Sequence, residues 1–235
     1  MKLDIINLNK SYGEKKVLED VNFTFIEGHI YGLIGRNGAG KTTFFNALNQ
    51  DIEIDSGDVI LSDEYGERTL ATNDIGYVVS TPVVPEFLTA REFLDFFIEI
   101  NKDKIEDLKS TDEYFKMVEI DEKDQDKLLK DFSHGMKNKM QILINLLTNP
   151  KIILLDEPLT SLDVVVQDEM KKLLKARKKN HIIIFSTHIL ELAMDLCDEI
   201  VILNDRKLEL VEKNNLNAKK YKDKIINALK DSKND

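Results

Sequence analysis

Polar Asn22 and Thr24 alternate with apolar residues from Val21 to Phe25, and after Glu27-Gly28 the chain enters an apolar run from Ile30 to Ile34. Alternation marks a strand with one face in a core, and a continuous run marks a strand covered on both faces. A helical pattern follows from Thr42 to Leu48, then short strands as far as Ile75-Gly76-Tyr77-Val78-Val79. Beyond Pro82 and Pro85 the period lengthens. Thr89-x-x-Glu92 has the form of a capping box ahead of an amphipathic run carrying Phe93, Phe96, Phe97 and Ile100. Ile142 to Leu147 is apolar at helical length and stops at Asn149-Pro150, so a helical lobe is expected over about 85–149. Ile152 to Leu155 and Ile182 to Phe185 are again continuous apolar runs, flanking a helical pattern from Val164 to Lys179. Buried strands joined in that way form a parallel crossover unit. The pattern predicts an α/β fold with a mostly parallel sheet built from residues 1–84 and 150–216, a helical insertion between the halves, and a lysine-rich helical tail over 217–235.

Composition fits that outline. The 235 residues, 42% hydrophobic, suit one domain or one domain with an inserted lobe. A net charge of -10 removes the attraction to phosphate backbones that drives non-specific nucleic-acid binding, so DNA and RNA are not expected partners. Charge crowds Asp103 to Asp131 and Glu209 to Asp235, read as solvated helical faces and a frayed tail. Cys197 has no second cysteine to pair with, and the longest apolar runs without a glycine reach four residues against the roughly 20 that cross a bilayer. No leader pattern opens the chain, and the expected compartment is the cytoplasm.

Gly35-Arg36-Asn37-Gly38-Ala39-Gly40-Lys41-Thr42 matches the phosphate-binding loop Gly-x-x-x-x-Gly-Lys-Ser/Thr, between an expected strand and an expected helix. Such a loop winds its backbone N–H groups and a helix N-terminus toward phosphate oxygens, Lys41 adds a point charge, and the Thr42 hydroxyl can ligate magnesium. With Thr43 behind it, the loop is the candidate ATP site. Ile152 to Leu155 runs straight into Asp156 and Glu157, acids that a buried strand tolerates only where they emerge at its carboxyl edge. Asp156 is placed to hold magnesium and Glu157 to polarise a water for attack on the γ-phosphate. Ser186-Thr187-His188 closes another apolar strand at the same expected edge, placing His188 beside the γ-phosphate or the attacking water.

Between these motifs lies Phe132-Ser133-His134-Gly135-Met136-Lys137, which resembles the Leu-Ser-Gly-Gly-Gln signature of ABC (ATP-binding-cassette) ATPases. Ser161-Leu162-Asp163 resembles the D-loop of that family, and Tyr12 its adenine-stacking aromatic. The resemblance covers roughly residues 1 to 211. It implies a P-loop NTPase core with antiparallel N-terminal strands, and two nucleotide-binding domains, alike or different, sandwiching two ATP with Mg2+. Ser133, His134, Gly135 and Met136 of one copy, with Asp163, would then face the nucleotide held by the other. It further implies ATP hydrolysis coupled to transport through separate transmembrane permease subunits, with this chain peripheral on the cytoplasmic face of the membrane.

Two departures stand out. His134 and Met136 replace a glycine and a glutamine of the signature, a variant associated with single-cassette bacterial exporters of peptide antibiotics and drugs. Ser80 stands where the family's glutamine approaches magnesium, and a serine there could act only through a water. Lys137 and Lys139 oppose the dipole of the helix they begin unless an anion arrives, or else are ordinary surface charge. The alternative functions are a soluble, non-transport ABC ATPase and a catalytically weakened regulatory subunit.

Overall fold

The structure, a computed structural model, describes residues 1–105, 107–159, 162–212 and 217–230. In chain order the first part comprises β1 (Lys2–Tyr12), β2 (Lys15–Ile26), β3 (Ile30–Ile34), α1 (Lys41–Leu48), β4 (Ser56–Asp63), β5 (Gly66–Thr69) and β6 (Ile75–Val78). Helices α2 (Ala90–Asn101), α3 (Thr111–Met117), α4 (Glu122–Gln125) and α5 (His134–Leu147) make up the lobe. The chain then forms β7 (Ile152–Asp156), α6 (Val164–Arg177), β8 (Ile182–Thr187), α7 (Leu190–Leu196), β9 (Glu199–Asn204), β10 (Lys207–Leu210) and α8 (Ala218–Lys230).

Two sheets result. One is antiparallel, in the order β2-β1-β4-β5, and the other runs β10-β9-β3-β8-β7-β6, parallel except for β10. The expected crossover is present, with β7 and β8 side by side and α6 between them in sequence. Both faces of the parallel sheet are covered, which is why its strands read as unbroken apolar runs. Leu154 and Ile184 point into a core shared with Leu3, Phe25, Phe44 and Leu61. Ile153, Leu155, Ile183 and Phe185 point the other way, onto Met170 and Leu174 of α6 and Ile142 and Leu146 of α5. Each such side chain contributes about 1.5–3 kcal/mol on burial.

The lobe has a core of its own around Leu94, Phe115, Leu129, Met140 and Leu143. The capping box forms as expected, with Thr89 Oγ1 accepting from Glu92 N at 3.1 Å and Glu92 Oε2 accepting from Thr89 N at 2.8 Å. The apolar stripe of α2 is narrower than its sequence suggests. It centres on Ala90, Leu94 and Ile98, four residues apart, and Phe96 and Ile100 lie round the helix beyond its edge, 58% and 61% exposed.

The expected helical tail forms over 218–230, but it is not frayed. That segment is a helix docked by Tyr221 and Ile225, which lie four residues apart and pack with Ile34, Ala193, Ile200 and Ile202. Tyr221 Oη donates to the Val211 carbonyl at 3.0 Å, and the lysines face outward around this seam. Ile225→Ala is expected to weaken the docking by about 2–4 kcal/mol. Hydrogen exchange checks it, since amides of 218–230 should exchange faster while those of β3 and β8 do not change.

Candidate active site

Strand register sets the site. Asp156 pairs with Ser186, and Ile34 with Thr187, so β3, β7 and β8 all end at one edge of the sheet, where α/β sheets bind ligands. From Ile34 the chain turns through 35–40 into α1. Gly40 has φ 107°, and a Cβ there would sit 2.8 Å from Val17 Cγ1, so glycine is required twice over. A Cβ on Gly35 would come within 2.9 Å of the Leu203 carbonyl oxygen. No side chain caps the N-terminus of α1, which leaves its first N–H groups for a ligand in the cleft.

Lys41 is folded back into its own loop. Its residue is 7% exposed, and Nζ donates to the Gly35 carbonyl at 2.9 Å and the Arg36 carbonyl at 3.4 Å. Burial pushes its pKa below the ordinary lysine value, against the opposing pull of Glu157 and Asp156. A buried ammonium held by carbonyls would gain from phosphate.

Asp156, 4% exposed, is held on both oxygens. Ser186 Oγ donates to Oδ1 at 2.5 Å and Thr42 Oγ1 donates to Oδ2 at 2.8 Å. Glu157 follows with φ 50°, a left-handed backbone uncommon for a residue with a side chain. Its Oε2 lies 2.8 Å from His188 Nδ1. The turn thus drops Asp156 beside Thr42 and swings Glu157 out toward His188. Tyr12, Lys15, Asn37, Lys41, Thr42, Thr43 and Glu157 border a cleft of about 350 Å³, with Gly38 and Gly40 in its wall. Arg36 and Ala39 line a larger groove, of about 830 Å³, that shares Lys15, Asn37 and Gly38 with the cleft. Tyr12 is half exposed, with Lys10 Nζ 5.1 Å from its ring centre.

The remaining expected residues stand elsewhere. Ser80 is exposed just past the end of β6 and does not border the cleft. Ser133 caps α5, its Oγ accepting from Met136 N at 3.2 Å, and His134 beside it is exposed. Gly135 is close to Leu162 and Val166, and Met136 packs against the lobe core. Asp163 Oδ1 accepts from Val165 N and Val166 N at 3.0 and 3.1 Å, capping α6. Ser161 lies outside the described residues. Neither lysine of the signature segment waits for an anion. Lys137 pairs with Glu86 at 3.0 Å, and Lys139 is buried, paired with Glu169 at 2.7 Å and donating to the Glu119 carbonyl at 3.0 Å. Sequence reasoning gave no role to Ser186, whose signal was a hydroxyl in an apolar strand.

A glycine loop delivering a lysine to the carboxyl edge of a parallel sheet, opposite a carboxylate that receives the loop's threonine, defines a phosphate-loop nucleotide-binding protein. Residues 18–160 match the family described as ABC transporter. The chain is 34% identical, over 88% of its length and 75% of the relative, to the uncharacterised ABC transporter ATP-binding protein MJ1023 of Methanocaldococcus jannaschii. It is also 34% identical to the bacitracin transport ATP-binding protein BcrA of Bacillus licheniformis, covering 86% of this chain and 66% of that one. Its fold superposes on the dimeric, post-hydrolysis structure of the ATP-binding cassette MJ0796 bound to ADP and Pi, with a TM-score of 0.73 and 24% identity over 89% of this chain and 99% of the other. The chain belongs to the ABC transporter family, as an ATP-binding domain of the ATPase type.

Proposed function

We propose that this chain binds ATP with magnesium in the cleft beside Lys41, closes on a second nucleotide-binding domain around the nucleotide, and hydrolyses it to drive export through separate membrane subunits. The observation that carries the reading is the convergence of Lys41, the Thr42–Asp156 pair and the Glu157–His188 pair at one sheet edge. Lys41 leaves its loop carbonyls for the β- and γ-phosphates, the N–H groups of the loop and of α1 donate to phosphate oxygens, and Tyr12 stacks on the base. Thr42 and Asp156 suit magnesium, a hard cation that takes one or two protein oxygens and completes its shell with phosphate and water. Held there, the ion would supply positive charge against the negative charge that develops during phosphoryl transfer. Glu157 draws a proton from the attacking water, and His188, oriented through Nδ1, presents its other face to the γ-phosphate.

Ser133, His134, Gly135 and Met136 are away from the cleft of their own chain, which is what a site completed by a second copy requires. Asp163, at the head of α6, would meet that copy too. The MJ0796 cassette is dimeric in its ADP and Pi complex, which supports this arrangement. Export finds support in BcrA, named for bacitracin transport. Among the described residues no helix is long and apolar enough to cross a membrane, so the pore would belong to permease subunits on other chains. Val83 and Phe87, 73% and 79% exposed beyond Ser80, offer those subunits an apolar foothold on the cytoplasmic face. Core 1–84 with 150–216 and lobe 85–149 would then move relative to one another as ATP comes and goes.

Light scattering tests the sandwich. Glu157→Gln protein is expected to double in mass on adding magnesium and ATP and to stay doubled, while the unaltered protein returns to monomer as ATP is consumed. A monomer in both cases would point instead to a different chain as the obligate second half.

A further inference from the structure

The turn that follows Glu157 is gripped from three sides. Ser186 Oγ, on β8, accepts from Glu157 N at 3.1 Å. Gln167 Nε2, on α6, donates to the carbonyls of Leu159 and Leu162 at 3.1 and 3.0 Å. Asn138 Nδ2, on α5, donates to the Pro158 carbonyl at 3.1 Å. Glu157 holds a left-handed backbone, a conformation that persists only where its surroundings fix it.

Asn138 is the unusual member. It is 1% exposed and sits one turn before Ile142 and two before Leu146, on the side of α5 that packs against the sheet. Among the described residues its Oδ1 is buried without a hydrogen-bond partner. A leucine, with the same branched skeleton, would strand no oxygen. What only the amide supplies is the hold on Pro158. The same helix begins at Ser133, in the segment assigned above to a second copy's nucleotide.

We propose that Asn138 is a positioning residue for hydrolysis: its amide ties the helix that starts at Ser133 to the carbonyl next to Glu157, and so aims the Glu157 carboxylate when α5 engages the nucleotide across the dimer. This rests on the catalytic reading of Glu157. The path is short, from a buried amide on one helix to the carbonyl next to Glu157, and it gives the lobe a direct effect on the carboxylate's direction.

The test compares Asn138→Leu and the isosteric Asn138→Asp, each alone and combined with Glu157→Gln, measuring kcat, KM, ATP affinity and melting temperature. Either change alone should lower kcat about tenfold to a hundredfold, the range expected when a reacting group is displaced by a fraction of an ångström to 1 Å, while KM and ATP affinity hold. In the Glu157→Gln background, followed by single turnover, neither should lower the rate further, because the carboxylate they aim has gone. An unchanged kcat, or the same fractional loss in both backgrounds, overturns the proposal. Should the leucine variant fail to fold, the aspartate variant decides, assayed at a pH above the pKa of its carboxyl, where it keeps size and removes the donor. Full turnover by Glu157→Gln by itself would instead bring down the catalytic reading underneath.

Discussion

Glu157→Gln should cost about a hundredfold or more in ATP turnover with no loss of ATP affinity, the order seen when one positioned catalytic group is removed. The amide keeps the shape of the carboxylate and can still meet His188, so the left-handed turn and the site around it have no reason to change. What disappears is the ability to take a proton from water. Steady-state phosphate release alongside a nucleotide-binding titration separates the two, and near-normal turnover would remove Glu157 from the catalytic role.

Lys41→Ala should act on binding itself. The ammonium is a positive charge in the wall of the cleft, and charged hydrogen bonds are worth about 1.5–3 kcal/mol, or roughly tenfold to a hundredfold in ATP affinity. The same change should move the melting temperature without nucleotide little, because the hydrogen bonds lost to the Gly35 and Arg36 carbonyls are offset by the removal of a buried charge. The signature is then a nucleotide-induced rise in melting temperature that shrinks while the baseline holds. An unchanged affinity would count against the phosphate loop as the ATP site.

Features that depend on short stretches of chain were legible in the sequence. The phosphate loop is one, because the backbone geometry of Gly40 and the reach of Lys41 fix residue types at set spacing. Asp156 and Glu157 are another, since two acids ending an apolar run have only the strand's edge to go to. The Thr89 capping box closed as its spacing required. Interactions between distant segments were hidden. Lys139 looks like a surface charge until Glu169 of α6 packs beside it, and Ser186 has no visible role until strand register sets it against Asp156. Two docking residues, Tyr221 and Ile225, are lost among the lysines of α8 because the surface they bury against is made of Ile34, Ala193 and Ile202. Exposed Phe96 and Ile100 show the converse: apolar character at helical spacing does not say which neighbour, if any, covers it.

The position of β3 between β8 and β9 has a consequence for biosynthesis. The strand that leads into the phosphate loop leaves the ribosome early, yet both of its hydrogen-bonded neighbours are made roughly 150 residues later, on the order of ten seconds of translation. Until then Ile30 to Ile34 is an apolar segment with two open edges, and a nascent chain stalled before Ile182 offers those edges to chaperones or to other nascent chains. Nucleotide cannot assist this early stage, since the acid that receives Thr42 also arrives late, so competence to bind ATP is expected to emerge abruptly as the last third of the chain is synthesised.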